Sequence, residues 1–153
     1  MIFNDRILKI FKYEYEFLEA KIIQQTSPEE AFRKFEEMGS KQIDTLRKLT
    51  KEVQEIRKSH KDDVVKKSLQ EYDENLEKYI PILMAQASIY WDMQNYTAIE
   101  KIFRKSVEFC SDHDVWRLNV GHVLFMQDNN KYKDAIGFYE PIVKKHYENV
   151  CII

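Results

Sequence analysis

Glycine and proline are nearly missing from this sequence, with three of each in 153 residues. Tight turns are therefore few. An all-β fold needs turn residues roughly every 8–12 positions, so the scarcity excludes one and points to long helices. Cysteine is scarcer still: Cys110 and Cys151 stand far apart. Two distant cysteines make no disulfide framework, and reduced thiols in the cytosol or a continuous compartment are expected. No apolar run approaches the roughly 20 residues that span a bilayer. The N-terminal "MIFNDRILKIFKYEYEF" lacks the unbroken hydrophobic region and small-residue cleavage site of a signal peptide. Charge of one sign is missing as well, because 24 basic residues face 26 acidic ones and the two are interleaved. No basic block tracks a phosphate backbone, so neither nucleic acid nor membrane is an expected partner. "KDDVVKK" (61–67) is typical of a solvated helix face. The length suits one domain, large enough to hide about 70% of its unfolded surface.

What is present is helical periodicity. Asn4 or Asp5 can cap a first helix. Ile7, Leu8, Ile10, Phe11, Tyr15, Phe17, Leu18, Ile22 and Ile23 then recur at helical spacing over so wide an arc that cover on more than one side is expected. "TSPEE" is a helix start: Ser27 caps, Pro28 takes the first helical position and Glu30 reaches back as a capping box. Ala31, Phe32, Phe35 and Met38 form the inner stripe, and Gly39-Ser40 predicts a break. Ile43, Leu46, Leu49, Val53 and Ile56 form a narrow heptad-like seam. A helix packed on a solenoid neighbour explains that seam better than a free coiled coil, since two and a half heptads are too few for the latter. "SHKDD" (59–63) reads as a polar turn. Val64, Val65, Leu69, Tyr72, Leu76, Tyr79 and Ile80 follow, and Pro81 marks a kink or boundary.

Beyond Pro81 the chain says nearly the same thing twice, in "IYWDMQNYTAIEKIFRKSV" (89–107) and "VLFMQDNNKYKDAIGFYEPIV" (123–143). Tyr96 and Tyr132 are 36 residues apart, as are Ile99 and Ala135, and Phe103 and Tyr139; Tyr90 and Phe125 are 35 apart. A period in the mid-thirties marks an array of helix-turn-helix units, each of which buries its apolar face only by stacking on the next. Tyr90 and Phe125 are expected to fill the space under the next helix. Tyr96 and Tyr132 would staple the hairpins, Ala135 would allow close approach, and Phe103 and Tyr139 would pack on the neighbouring unit. The pattern matches the tetratricopeptide repeat, whose period is about 34 residues. Departures are Ile99 where alanine is normal and Pro141 inside a helix, which it should bend. The fold expected is an all-α, tetratricopeptide-like solenoid segment of antiparallel helix pairs. Residues 1–80 would form long helices of divergent repeats, 81–150 two repeats with helices near 82–93, 96–110, 114–128 and 131–148, and 151–153 a tail.

Chemistry is weakly encoded. "CSDHD" (110–114) groups Cys, Asp, His and Asp, but no second Cys or His stands at metal-site spacing, so Asp112 or Asp114 capping a helix is the better reading. Cys110 and His113 lack an oxyanion loop. His122 sits among Val120, Val123 and Leu124 as a packing residue, while His60, His113 and His146 are scattered. Gly39, Gly121 and Gly137 stand alone and make no phosphate cradle. Neither an enzyme, a cofactor nor a metal is expected. Of the aromatics, Tyr79, Trp91 and Trp116 are the candidates for a concave, partner-binding face.

The words "LRKLTKEVQE" (46–55), "EKYIPILMAQASIYWDMQNY" (77–96), "EKIFRKSVEFCSDHDVWRLNVGHVLFMQ" (100–127) and "AIGFYEPIVKKHYENV" (135–150) closely resemble one family. It is the tetratricopeptide repeat protein 30 or fleer family, the tetratricopeptide-repeat subunit of intraflagellar transport complex B. The resemblance implies a scaffold needed for cilium assembly, located in the cilium (axoneme and ciliary base) and cytoplasm. It implies binding to complex B core subunits, including a proline-rich segment, and an indirect link to the kinesin motor machinery. It also implies a link to axonemal tubulin polyglutamylation through delivery of the modifying enzyme. Family members are several times longer, so the chain is expected to be a fragment. The alternative is a generic cytosolic tetratricopeptide adaptor for peptides, and a third reading is a coiled-coil dimer through residues 41–80.

Overall fold

The computed structural model describes residues 5–58, 62–127 and 131–146. Six helices follow one another: α1 (Asp5–Gln24), α2 (Pro28–Lys58), α3 (Asp62–Asp92), α4 (Tyr96–Cys110), α5 (Asp114–Met126) and α6 (Tyr132–Lys145). Among the described residues there is no strand. The all-α architecture of successive helix pairs is that of a helical-repeat solenoid segment. The expected cap at Asn4, most of the "SHKDD" turn, part of "QDNNKY", and the tail with Cys151 lie outside the described residues.

Two compact units divide the chain, Met1–Ile89 and Tyr90–Ile153. Pro81, expected to mark a kink or boundary, lies inside α3 and does not interrupt it. Proline removes the hydrogen bond to the carbonyl four residues back, here that of Glu77. Both residues are exposed, where water is within reach of the backbone. Gly39-Ser40 likewise fails to break α2. Ser40 Oγ donates to the Glu36 carbonyl at 2.8 Å, bonding back into its own helix. The buried Met38, Leu46, Leu49 and Val53 outweigh the roughly 1 kcal/mol that glycine costs a helix interior.

In the first unit Ser27 ends the α1–α2 turn, its N–H bonding to Ile23 O (2.8 Å) and its carbonyl accepting from Ala31 N (3.0 Å). Pro28 and the acidic Glu29 and Glu30 open α2, where the helix dipole favours negative charge. The core is Ala20, Ala31, Phe35, Met38, Ile82, Ala85 and Ile89. Small residues at Ala20 and Ala31 let the helices approach. Polar ties close the edges: Tyr13 Oη donates to Lys78 O at 2.7 Å, Gln24 Nε2 to Ser88 Oγ at 3.2 Å, and Lys34 meets Glu19 at 2.8 Å. Burial and the charge of Glu14 push the Tyr13 phenol up to about 12. The heptad-like seam is consumed within the chain, since Leu46, Leu49 and Val53 are buried there. Cover on more than one side of α1 is expected from its apolar arc, but among its described side chains Leu8, Phe11, Tyr15, Leu18 and Ile22 form an exposed stripe at three- and four-residue spacing.

In the second unit α4 packs on α5 and α5 on α6. Asn95 caps α4, its side chain accepting from Ala98 N at 3.1 Å. The end of α3 is closed by Asn95 N bonding to Tyr90 O and Gln94 N to Trp91 O, both at 2.9 Å. These are the paired bonds of a Schellman motif, and Gln94 takes its left-handed position with φ 55°. Trp116 is the hub of the core. Its Nε1–H donates to Ser106 Oγ at 2.8 Å, and its ring meets Phe103 and Phe138 edge-on at 6.0 Å each. Ser106 Oγ in turn donates to Phe103 O at 3.0 Å. Pro141 lies inside α6 as expected.

Candidate interaction surface

α5 offers two faces. One buries Trp116, Val120, Val123 and Leu124. The other, half a turn away, exposes Val115, Leu118, His122 and Phe125. Two helix-turn-helix corners of the unit carry aromatic pairs built alike. Trp91, in the last turn of α3, meets Tyr96, the first residue of α4, edge-on at 5.2 Å and 74°. Phe125, in the last turn of α5, meets Tyr132, the first residue of α6, at 5.7 Å and 65°.

These pairs correct the repeat register. Phe125 corresponds to Trp91, not Tyr90, giving a period of 34 before the turn and 36 after it. The position after Tyr90 in one unit matches the position after Leu124 in the other. Phe125 therefore does not fill the space under the next helix; it is 54% exposed, and the buried Leu124 does that work. Tyr132 is also exposed, its ring paired with that of Phe125. Ile99, Phe103 and Ala135 are buried, and Tyr90, Tyr96 and Tyr139 half-buried. Of the three proposed partner-binding aromatics, Tyr79 and Trp116 are each 4% exposed and Trp91 39%. Burial gives Tyr79 and Trp116 to the core in this conformation, and only Trp91 presents a ring edge to solvent.

Polar contacts fix the hairpins. Glu100 on α4 takes Gln127 Nε2 and Lys131 Nζ on Oε2, both at 2.9 Å, and Arg104 Nη2 on Oε1 at 2.6 Å. The hydrogen bonds of Lys131 and Gln127 hold its carboxyl well below the usual range, at about 2. Asp114, the first residue of α5, receives Lys145 and His146 from the end of α6, which lowers its carboxyl. His113, not either aspartate, occupies the cap position, and makes no side-chain cap. Asp112 pairs with Arg117 at 2.6 Å. Asp114 in the first turn still favours α5 through the dipole. His122 is exposed on the open face, its Nδ1 2.7 Å from Tyr139 Oη. Cys110 is fully buried, and burial pushes its thiol up to about 12, so it holds no thiolate at neutral pH. Among the described residues no three His, Cys, Asp or Glu side chains gather as a metal cluster, and no helix is long and apolar enough to cross a membrane.

Residues 6–153 match the model of the intraflagellar transport protein 70 C-terminal domain. The chain belongs to the intraflagellar transport protein 70 family. Intraflagellar transport protein 70A of Danio rerio is 67% identical over 138 residues, that of Xenopus laevis 66% and that of Homo sapiens 63%. Each alignment covers 90% of this chain and 21% of the relative. The chain thus spans about a fifth of the length of these curated relatives. The fleer family suggested by the residues is the same protein group.

Gly121 and Glu100 were not marked out by sequence reasoning. Gly121 stands against the Tyr139 ring, and the 34-residue register pairs it with Ala87, so the recurrence of a small residue was a usable signal. Glu100 had none, since acidic residues are spread along the whole chain.

Proposed function

We propose that this chain is a binding segment of an intraflagellar transport scaffold, working through stacked helix pairs without chemistry of its own. What carries the reading is the exposed face of α5 with Trp91 and Phe125 at equivalent repeat positions. Rigid aromatic edges give large contact area for little lost side-chain entropy, and they suit an extended, proline-rich segment. Its identity of 63–67% with intraflagellar transport proteins 70A supports the same assignment. The partners proposed are complex B core subunits, one through a proline-rich stretch, with kinesin motors reached indirectly. The sites proposed are the ciliary base, the axoneme and the cytoplasm. The link to tubulin polyglutamylation would act by delivering the modifying enzyme.

Co-purification of the tagged chain from ciliated cells tests this. Recovery of complex B core subunits supports the proposal. A helical, folded chain that recovers none of them would place the binding surface in other parts of the longer relatives.

A further inference from the structure

On the face of α5 opposite the open stripe, α4, α5 and α6 enclose an apolar groove of about 260 Å³. Trp116, Val120 and Leu124 form its floor, Phe103 and Val107 one wall and Phe138 the other. For scale, an apolar cavity of about 150 Å³ accepts a benzene ring. The groove lies between three successive helices rather than on the free side of an outermost one. Val107 at its edge is exposed.

The charges at its mouth say what fits. Glu100 and Arg104 both line the groove. The Glu100 carboxylate is taken up on both oxygens, by Arg104 on one and by Lys131 and Gln127 on the other. Its side chain is only 18% exposed, whereas that of Arg104 is 76% exposed. Of the two charged residues that line the groove the carboxylate is largely covered and the guanidinium exposed, so Arg104 is what the mouth presents to an incoming group above the apolar floor. We infer that this groove docks a partner helix carrying a bulky apolar side chain with a carboxylate one turn away. The apolar side chain would seat against Trp116 and Phe138, and the carboxylate would meet Arg104. This site is separate from the aromatic face of α5 and does not depend on it.

The probe is an acetylated helical peptide bearing Phe and Leu one turn apart with flanking glutamates, set against the same peptide with lysines. Both are titrated into the isotopically labelled full chain. The acidic peptide should shift the Trp116 indole N–H and the Val120 and Phe138 amides. It should bind about three- to fivefold tighter than the basic one at low salt, as an exposed ion pair allows. Arg104→Gln should erase that preference with only a small fall in melting temperature, since its bond to Glu100 is an i,i+4 pair with the Arg104 side chain 76% exposed. Val107→Glu, at an exposed edge, should weaken the acidic peptide by about tenfold or more, since it sets a charge against the anchor. Shifts confined to Val115, Leu118 and Phe125 or to the α1 stripe would overturn the inference. So would equal affinity for both peptides, binding that survives Val107→Glu, or no shift at millimolar peptide.

Discussion

Gly121 and Tyr139 are in contact that no other residue at 121 could share. A Cβ built on Gly121 would stand 2.8 Å from Tyr139 Cε1 and 3.0 Å from Cζ. No glycine in the described residues has positive φ, so Gly121 serves space and not backbone freedom. The α5–α6 hairpin closes only because α5 lacks a side chain there, and Tyr139 is then fixed further by its bond to His122.

Gly121→Ala should therefore destabilise the protein by about 1–3 kcal/mol, overpacking outweighing alanine's helix preference. Gly39→Ala should do the reverse. A methyl there would meet Ile82 Cγ2 at 3.6 Å and the Tyr79 ring at 3.7 Å, ordinary contacts. A gain of about 0.5–1 kcal/mol is expected from helix propensity. Urea denaturation of the two variants checks both signs, and two shifts of the same sign would contradict the packing described.

The helices were legible in the sequence because apolar periodicity and capping residues act locally. Ser27-Pro28, and the helix expected near 96–110, place helix starts within a residue or so of those observed. Tertiary packing overruled the local signals elsewhere. Gly39 and Pro81 weaken isolated helices, yet both sit inside helices of 31 residues whose buried stripes hold them together. The interaction surface was less legible. Which aromatic of "IYW" (89–91) faces out depends on a helix rotation of 100° per residue, so a one-residue error in repeat register moved the expected buried side chain from Leu124 to Phe125.

Ser106→Ala should lower stability by about 1–3 kcal/mol, although it removes one oxygen. Ser106 is fully buried and is the acceptor for Trp116 Nε1–H. Its loss leaves a buried donor unpaired, and no water can replace it without opening the core. A Trp116 fluorescence change accompanying the loss would tie it to this contact. A stability equal to that of the parent would show that the indole N–H finds another acceptor.

Glu100 gives the second unit a pH dependence of known sign. Its carboxyl is depressed from 4.5 to about 2 in the fold, so the stabilisation is fully present above the unfolded value. It is lost as pH falls from about 4.5 through 2, because the unfolded chain then binds the proton first. After allowance for solvent screening the contribution is about 1–2 kcal/mol. Glu100→Gln should remove it, so parent and variant should differ by that amount at pH 7 and converge near pH 2. Asp114, also lowered, stays in both proteins and leaves a residual acid dependence to each. A difference that persists undiminished at pH 2 would mean that Glu100 acts through shape and not charge.

Trp91 and Phe125 separate binding from folding. Trp91 is 39% and Phe125 54% exposed, and each meets an aromatic neighbour, Tyr96 or Tyr132, edge-on. Trp91→Ala and Phe125→Ala should each remove an edge-to-face contact of about 0.5–1.5 kcal/mol. If these rings anchor a complex B segment, recovery of that partner in co-purification should fall far more, since aromatic anchors at interfaces cost upwards of about 2 kcal/mol when truncated. Tyr79→Ala and Trp116→Ala set the contrast, because they cut buried core and should lower melting temperature first, by about 3–5 kcal/mol of stability. Loss of binding in proportion to loss of stability across all four variants would return Trp91 and Phe125 to a purely structural role. A binding defect concentrated in the two exposed rings would locate the docking face on α5 and the hairpin corners beside it.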